Sequence, residues 1–270
     1  MQIVTDIVNF RVLYRGGGTS GSLKIIERAG RTSYRSYKGK RITEESAIRF
    51  IKRLVEREHD SVLEHSILTV VIKYSIGATR ESNRHRISSP TEMSTRYVNI
   101  GKGRGLIFVY PPHRTQNITV KLSRGAVLKE ITPKQMIKLI EDFYKGLITQ
   151  FGWTPEDARQ FLPLGTQSEV VISANFREWR RIFELRTEKA AHWEIRSTMC
   201  AILEKIKPLL PGVFDDFVLA GKDKYGYPYY KKLRPANTVI NDLINIRSAL
   251  TQEQIQKLLM VLAENDVAET

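Results

Sequence analysis

Arg84-His85-Arg86-Ile87-Ser88-Ser89-Pro90-Thr91-Glu92-Met93-Ser94-Thr95-Arg96-Tyr97 is the stretch that the rest of the chain serves as a scaffold. It packs three arginines, one imidazole, one carboxylate and several hydroxyls into a segment with little apolar material to bury. Pro90 keeps much of it out of a helix, because proline lacks an N–H and clashes with the preceding turn. A loop of this composition suits an anionic, planar ligand rich in acceptors. Guanidinium groups bind phosphate bidentately and stack on flat rings.

Upstream, Ile48, Ile51, Leu54 and Val55 recur at helical spacing after Thr43, with Glu44 and Glu45 in the first turn, where the macrodipole favours them. This helix is expected to stop near His59-Asp60-Ser61. Ser66 to Tyr74 is β-branched and mostly apolar, which predicts a largely buried strand. His59, Ser61, Glu64 and His65 then lie in the turn between helix and strand. Ser75 is placed to cap a helix through Asn83, delivering Arg84-His85-Arg86 at its C-terminal end. Nearer the start, Gly16 to Gly21 reads as a mobile loop and Leu23 to Ala29 as a short helix.

Downstream, Val98 to Ile100 and Leu106 to Tyr110 read as strands, and Ile118 to Leu122 could pair with a neighbour. Thr132-Pro133 opens a helix, with proline at its first position. Thr154-Pro155 opens a short one carrying Arg159. A short strand is expected over Glu169 to Ser173, a basic helix over Phe176 to Arg186, and a long helix from Lys189 to about Leu209. Residues 221–235 read as a linker or surface loop. Two helical segments follow, the second opened by a capping box of Thr251 and Gln254. These elements mix strands and helices along the chain, with helical segments at its C-terminal end. The chain divides into a domain over residues 1–220 and a linker with helical extension over 221–270.

The 270 residues carry a formal charge of +14. Such a charge fits a nucleic-acid-binding face, or a cluster of arginines for small polyanions such as nucleotides, flavins or folates. Zinc-finger spacing, an aromatic RNA-binding strand and a lysine-rich tail are all missing. No apolar run approaches the ~20 residues of a membrane span, and the N-terminus does not read as a signal peptide. A single cysteine, Cys200, precludes an intrachain disulfide and suits the cytoplasm.

The five histidines have no metal-ligand spacing, and one cysteine cannot build a thiolate site, so no metal centre is expected. Cys200 lies within an amphipathic helix and reads as a small core residue. Ser94 lies near His85 and Glu92, but there is no Gly-x-Ser-x-Gly elbow. Arginine carries the signal: Arg84, Arg86, Arg96, Arg159, Arg177, Arg181 and Arg186 come from three separate segments. Arg180 is assigned to a solvated basic face.

Arg84-His85-Arg86 followed by seven residues and Ser94 resembles the signature of the flavin-dependent thymidylate synthases. The resemblance extends, in order, to Arg31-Thr32-Ser33-Tyr34, to His59-Asp60-Ser61 with Glu64-His65, to Arg159 through Leu164, and to Asn175-Phe176-Arg177, Leu185-Arg186 and Trp193 to Arg196. It covers roughly residues 20–220, and it implies that family's α+β fold: a central, mostly antiparallel sheet flanked by helices, here with a helical C-terminal extension. It implies an enzyme that converts dUMP to dTMP, with methylenetetrahydrofolate as carbon donor, FAD as bound cofactor and NADPH as reductant, in a homotetramer whose active sites are shared between subunits.

By the same resemblance, His59, Ser61, Arg84, His85, Arg86, Glu92, Asn175, Arg177 and Arg181 face the flavin. The nucleotide falls to Glu81, Ser82, Asn83, Arg84, Glu92, Met93, Ser94, Thr95, Arg96, Arg159 and Arg186, with Ser94 to Arg96 on the phosphate and Arg159 and Arg186 reaching the uracil. Arg186, Ser94 and His59 are the implied catalytic residues. Glu81 stands where the family often has Gln and would repel a phosphate unless an arginine pairs with it. Thr95 stands where a small Gly is common and would be strained at positive φ. Arg181 and His192 stand where Asn and Gln are frequent. These departures leave open a related flavin-dependent hydroxymethylase, and the charge leaves open a nucleic-acid-binding protein.

Overall fold

The computed structural model describes residues 2–4, 8–13, 18–36, 38–39, 41–103, 105–114, 118–124, 127–234, 251 and 254. In chain order the first half holds β1 (Gln2–Val4), β2 (Phe10–Leu13), α1 (Gly18–Ser33), α2 (Glu44–Glu56), β3 (Ile67–Ser75), α3 (Ile76–Ser82), β4 (Ser88–Glu92) and β5 (Ile107–Val109). The second half holds β6 (Val120–Arg124), β7 (Val127–Ile131), α4 (Pro133–Thr149), α5 (Pro155–Ala158), β8 (Gln167–Asn175), α6 (Phe176–Arg186), α7 (Trp193–Ile206), β9 (Phe217–Lys222) and β10 (Pro228–Lys232). The central sheet has four antiparallel strands in the order β2-β3-β8-β4. The α+β architecture with an antiparallel sheet is therefore as expected.

The core forms where α1, α2, α6 and α7 meet the buried side chains of β3 and β8. Val70 and Ile72 of β3 and Val170 and Ile172 of β8 pack with Ile51, Trp179, Phe183, Met199 and Leu203. Each such side chain contributes about 1.5–3 kcal/mol on burial. The indole N–H of Trp179 donates to the carbonyl of Leu68 at 2.9 Å, which fixes α6 against β3. Thr43 and Ser46 form a capping box on α2, and Thr132 and Gln135 form one on α4.

Several elements differ from expectation. Gly18 to Gly21 open α1 rather than a loop, and that helix runs 16 residues, with Glu27 binding both Arg31 and Ser46; Gly16 and Gly17 lie outside the described residues. Helix α2 ends at Glu56, and Asp60–His65 form a 3-10 turn instead. The opening stretch contains a strand, β4, which tolerates Pro90 because it lies at the sheet edge. Val98 to Ile100 is turned rather than extended: the N–H of Val98 donates to Ser94, and the Asn99 side chain accepts from Gly101.

Strand β8 is nine residues long, because β3 pairs with it from Gln167 to Asn175, while β4 pairs with Val170 to Ala174. Helix α7 starts at Trp193, not Lys189, and its last turn over Lys207–Leu209 is 3-10, with proline in it. Residues 221–232, expected as linker, belong to the hairpin β9–β10, so the division drawn after residue 220 falls inside β9. The capping box of Thr251 and Gln254 is present, with Gln254 donating to the Thr251 hydroxyl at 3.3 Å. The expected helical segment between residues 235 and 250, and the apolar stripe from Ile255 to Leu262, lie outside the described residues.

Candidate active site

Helix α3 is the platform of the site. Ser75 caps it, accepting from the N–H of Ala78 at 3.2 Å. The buried carboxylate of Glu194 on α7 holds the cap, accepting from the Ser75 N–H at 2.6 Å and from its hydroxyl at 2.7 Å. Burial raises the Glu194 pKa from the usual carboxylate range. Opposite, Asn175 caps α6 by accepting from Glu178 at 2.8 Å. Helix α6 then runs straight to Arg186 at its last turn.

Arg186 reaches back to the end of α3. Its Nε donates to His85 Nε2 at 3.1 Å, its Nη1 to the Glu81 carboxylate at 3.0 Å and its Nη2 to the Glu81 carbonyl at 2.9 Å. Because His85 Nε2 accepts, its proton sits on Nδ1, which lies 3.5 Å from Glu178 Oε1. His85 is 8% exposed. Burial first, and then the Arg186 and Arg181 charges, hold its pKa down at about 4, so the imidazole is neutral at pH 7. The repulsion flagged at Glu81 is thus answered: an arginine does pair with it.

A second cluster forms where α5 meets the end of the opening stretch. Arg159 donates to the Thr95 hydroxyl at 3.2 Å and to the Glu156 carbonyl at 3.2 Å. Arg96 pairs with the Glu156 carboxylate at 2.7 Å, and the Ser94 hydroxyl accepts from the Arg96 N–H at 3.3 Å. Thr95 is not among the residues with positive φ, so its β-branch carries no strain there. Glu92 binds the clusters together, accepting from Thr79 at 2.8 Å, Ser168 at 3.0 Å and Asn83 at 3.3 Å. Met93 lines a neighbouring cavity of about 310 Å³ with Lys73, Asn99, Lys102 and Glu169.

The side chains of the other candidates hydrogen-bond to neither cluster among the described residues, although Arg181 is near enough for its charge to act on His85. His59 and Ser61 line a cleft of about 500 Å³ with Arg31, Tyr34, Phe50, Arg53 and Arg57, and no other candidate side chain borders it. Arg177 pairs with Glu64 at 2.5 Å, and Arg181 with Glu184 at 3.2 Å, both on the surface. Ser82 is buried and bonds to the Tyr74 hydroxyl. Arg84 and Arg86 are exposed, and neither has a carboxylate partner among the described residues. Arg180 corrects its assignment to a solvated face: it is 3% exposed and bridges Asp60 and Asp216 while donating to the Val213 carbonyl. Cys200 is fully buried, and burial pushes its thiol up to about 12.

Glu178, Glu156, Thr79 and Ser168, the partners that aim these groups, were not singled out in the sequence. Glu178 was open to discovery as the third residue after the Asn175 cap; the others carry no local signal.

The sequence matches the model of the family described as thymidylate synthase complementing protein over residues 18–212. The chain belongs to the flavin-dependent thymidylate synthase family. It is 34% identical over 197 residues to the flavin-dependent thymidylate synthase of Sulfurisphaera tokodaii, covering 71% of each chain. To that of Saccharolobus solfataricus it is 32% identical over 202 residues, covering 73% of this chain and 72% of the relative. The UMP/dUMP methylase PolB from Streptomyces cacaoi, in its structure bound with 5-Br dUMP, shares the fold. The TM-score is 0.61 at 19% identity, covering 80% of this chain and 96% of that one.

Proposed function

We propose that this chain methylates dUMP at C5 to give dTMP, using methylenetetrahydrofolate as carbon donor, bound FAD and NADPH as reductant. The observation that carries the reading is the pairing of a fixed Arg186 with an unusable cysteine. The chain has one cysteine, and it is buried with its thiol held protonated. Attack of a cysteine on uracil C6 therefore has no nucleophile here.

Arg186 offers its remaining N–H groups to a pyrimidine carbonyl, where they stabilise the negative charge that builds as C5 becomes nucleophilic. His85 and Glu81 hold the guanidinium in place, so little reorganisation is needed as that charge develops. Arg159, with Ser94 to Arg96, receives the nucleotide phosphate. The Arg96–Glu156 pair is half-exposed on both sides, so a phosphate displaces the carboxylate at small cost. Ser94 acts as a positioning hydroxyl.

The residues fit a flavin dinucleotide. Arg84 and Arg86 offer two exposed charges, without carboxylate partners among the described residues, for its phosphates, and the cleft at His59 and Ser61 adds arginines and two aromatic rings. Bound FAD would supply the hydride, leaving orientation and charge to the protein. The exposed Ile87 and Tyr97, at 71% and 78%, flank this surface and support completion of the site by other subunits of a homotetramer. No helix among the described residues is long and apolar enough to cross a membrane, and we place the enzyme in the cytoplasm.

The purified protein is expected to be yellow or to take up FAD to a flavin absorption spectrum. Mass spectrometry of its nucleotide product is expected to find dTMP. A hydroxymethylated product would replace this reading with a hydroxymethylase, and a colourless protein that cannot take up flavin would refute both.

A further inference from the structure

We infer that Glu81 is a specificity element: its carboxylate neutralises Arg186, reserving that guanidinium for an uncharged pyrimidine carbonyl and turning away phosphate. The inference rests on the reading of Arg186 as the group that meets the pyrimidine.

A guanidinium has five N–H donors. Three of those on Arg186 go to His85, the Glu81 carboxylate and the Glu81 carbonyl. The grip is two-pointed, since one residue supplies both a side-chain and a backbone acceptor. The helix that carries Glu81 is itself anchored, through Ser75, to the buried Glu194. What remains on Arg186 is a pair of N–H groups with little net charge behind them. Such a group hydrogen-bonds a neutral carbonyl well and attracts a dianion poorly.

Three surface arginine–carboxylate pairs differ from the Arg186–Glu81 pair, whereas Arg180 with Asp60 and Asp216, and Arg196 with Asp223, are buried structural pairs. Arg177–Glu64, Arg181–Glu184 and Arg96–Glu156 all have side chains at least 40% exposed, where water screens the pair and lets an incoming anion replace the carboxylate. The Arg186–Glu81 pair is 16% and 31% exposed. Arg84, Arg86 and Arg159 have no carboxylate partner among the described residues and remain the groups for anions. The molecule thus holds arginines of two kinds side by side, and one carboxylate makes the difference.

The test uses the flavin-loaded full chain and deoxyuridine, which has the base without the phosphate. Calorimetric titrations with deoxyuridine are run in rising inorganic phosphate, on wild type, Glu81→Gln and Glu81→Asp. In the wild type, phosphate should leave deoxyuridine affinity unaltered, because it does not capture Arg186. In Glu81→Gln, phosphate should compete, taking effect at concentrations lower by about tenfold or more. Glu81→Asp restores the charge and should restore the wild-type response. Equal phosphate sensitivity in all three proteins overturns the role of Glu81 and leaves the nucleotide reading standing. A wild type that binds neither deoxyuridine nor dUMP overturns the nucleotide reading and this inference with it.

Discussion

Arg186 is placed by groups far from it in sequence: Glu81 is 105 residues away and His85 is 101. That distance explains what was legible at the level of single residues. The arginines, His85 and Glu92 were visible as residue types with little else to do in a polar stretch. Their partners were invisible, because a lone Glu178 or Glu156 on a helix looks like any solvated carboxylate. Replacing Arg186 by Ala is expected to lower kcat by about a hundredfold to a thousandfold, the scale of losing one oxyanion-type donor, with flavin absorption retained. His85 gives a pH prediction. Its pKa is held at about 4 in the fold against an ordinary 6.5. Between these values the unfolded chain takes up a proton that the folded chain refuses, so stability should fall as pH drops from 6.5 towards 4. Urea unfolding across that range should show a shallower pH slope in His85→Asn than in the wild type; equal slopes would remove His85 from the account.

Helices were legible wherever a cap and an apolar period coincided. Helix α6 was anticipated residue for residue, and α4 began where Thr132-Pro133 placed it. Edges and hairpins were legible only in part: the expected pairing of Ile118 to Leu122 is met from Val120 on, in the hairpin of β6 with β7, but others escaped. Strand β4 holds a proline and polar residues, and only its position beside β8 makes it a strand. The hairpin β9–β10 was hidden by its Lys, Tyr and Gly content, which matches that of a loop; its order comes from packing against α7, with Tyr230 bonded to Glu204 at 2.7 Å. Arg180 was misread for a related reason: a basic helix face looks solvated until the opposing loops supply Asp60 and Asp216. Removing one member of a buried, hydrogen-bonded charge cluster costs about 3–5 kcal/mol. Arg180→Met is therefore expected to lower the unfolding free energy by roughly that amount, whereas Arg181→Met, at the exposed pair one residue on, should change it by less than about 1 kcal/mol. Chemical denaturation of both variants checks the contrast.

At the scale of the molecule, the charge of +14 resolves into arginines with different duties rather than a uniform basic face. Two of them, Arg84 and Arg86, stand exposed and without carboxylate partners among the described residues, next to the exposed Ile87 in the chain. A homotetramer that completes its sites between subunits predicts sedimentation at four times the monomer mass of 31.0 kDa. Sedimentation as a monomer, with the flavin still bound, would contradict the shared site. Nucleic acid at low salt is expected to bind weakly, since the paired arginines have little charge to offer. The central claim is flavin-dependent carbon transfer to C5 of dUMP, and release of tritium from dUMP labelled at C5 tests it most directly. The account predicts release only when the folate donor and the reductant are both present, and its loss in Arg186→Ala. No release from the flavin-loaded protein with every component present would contradict it.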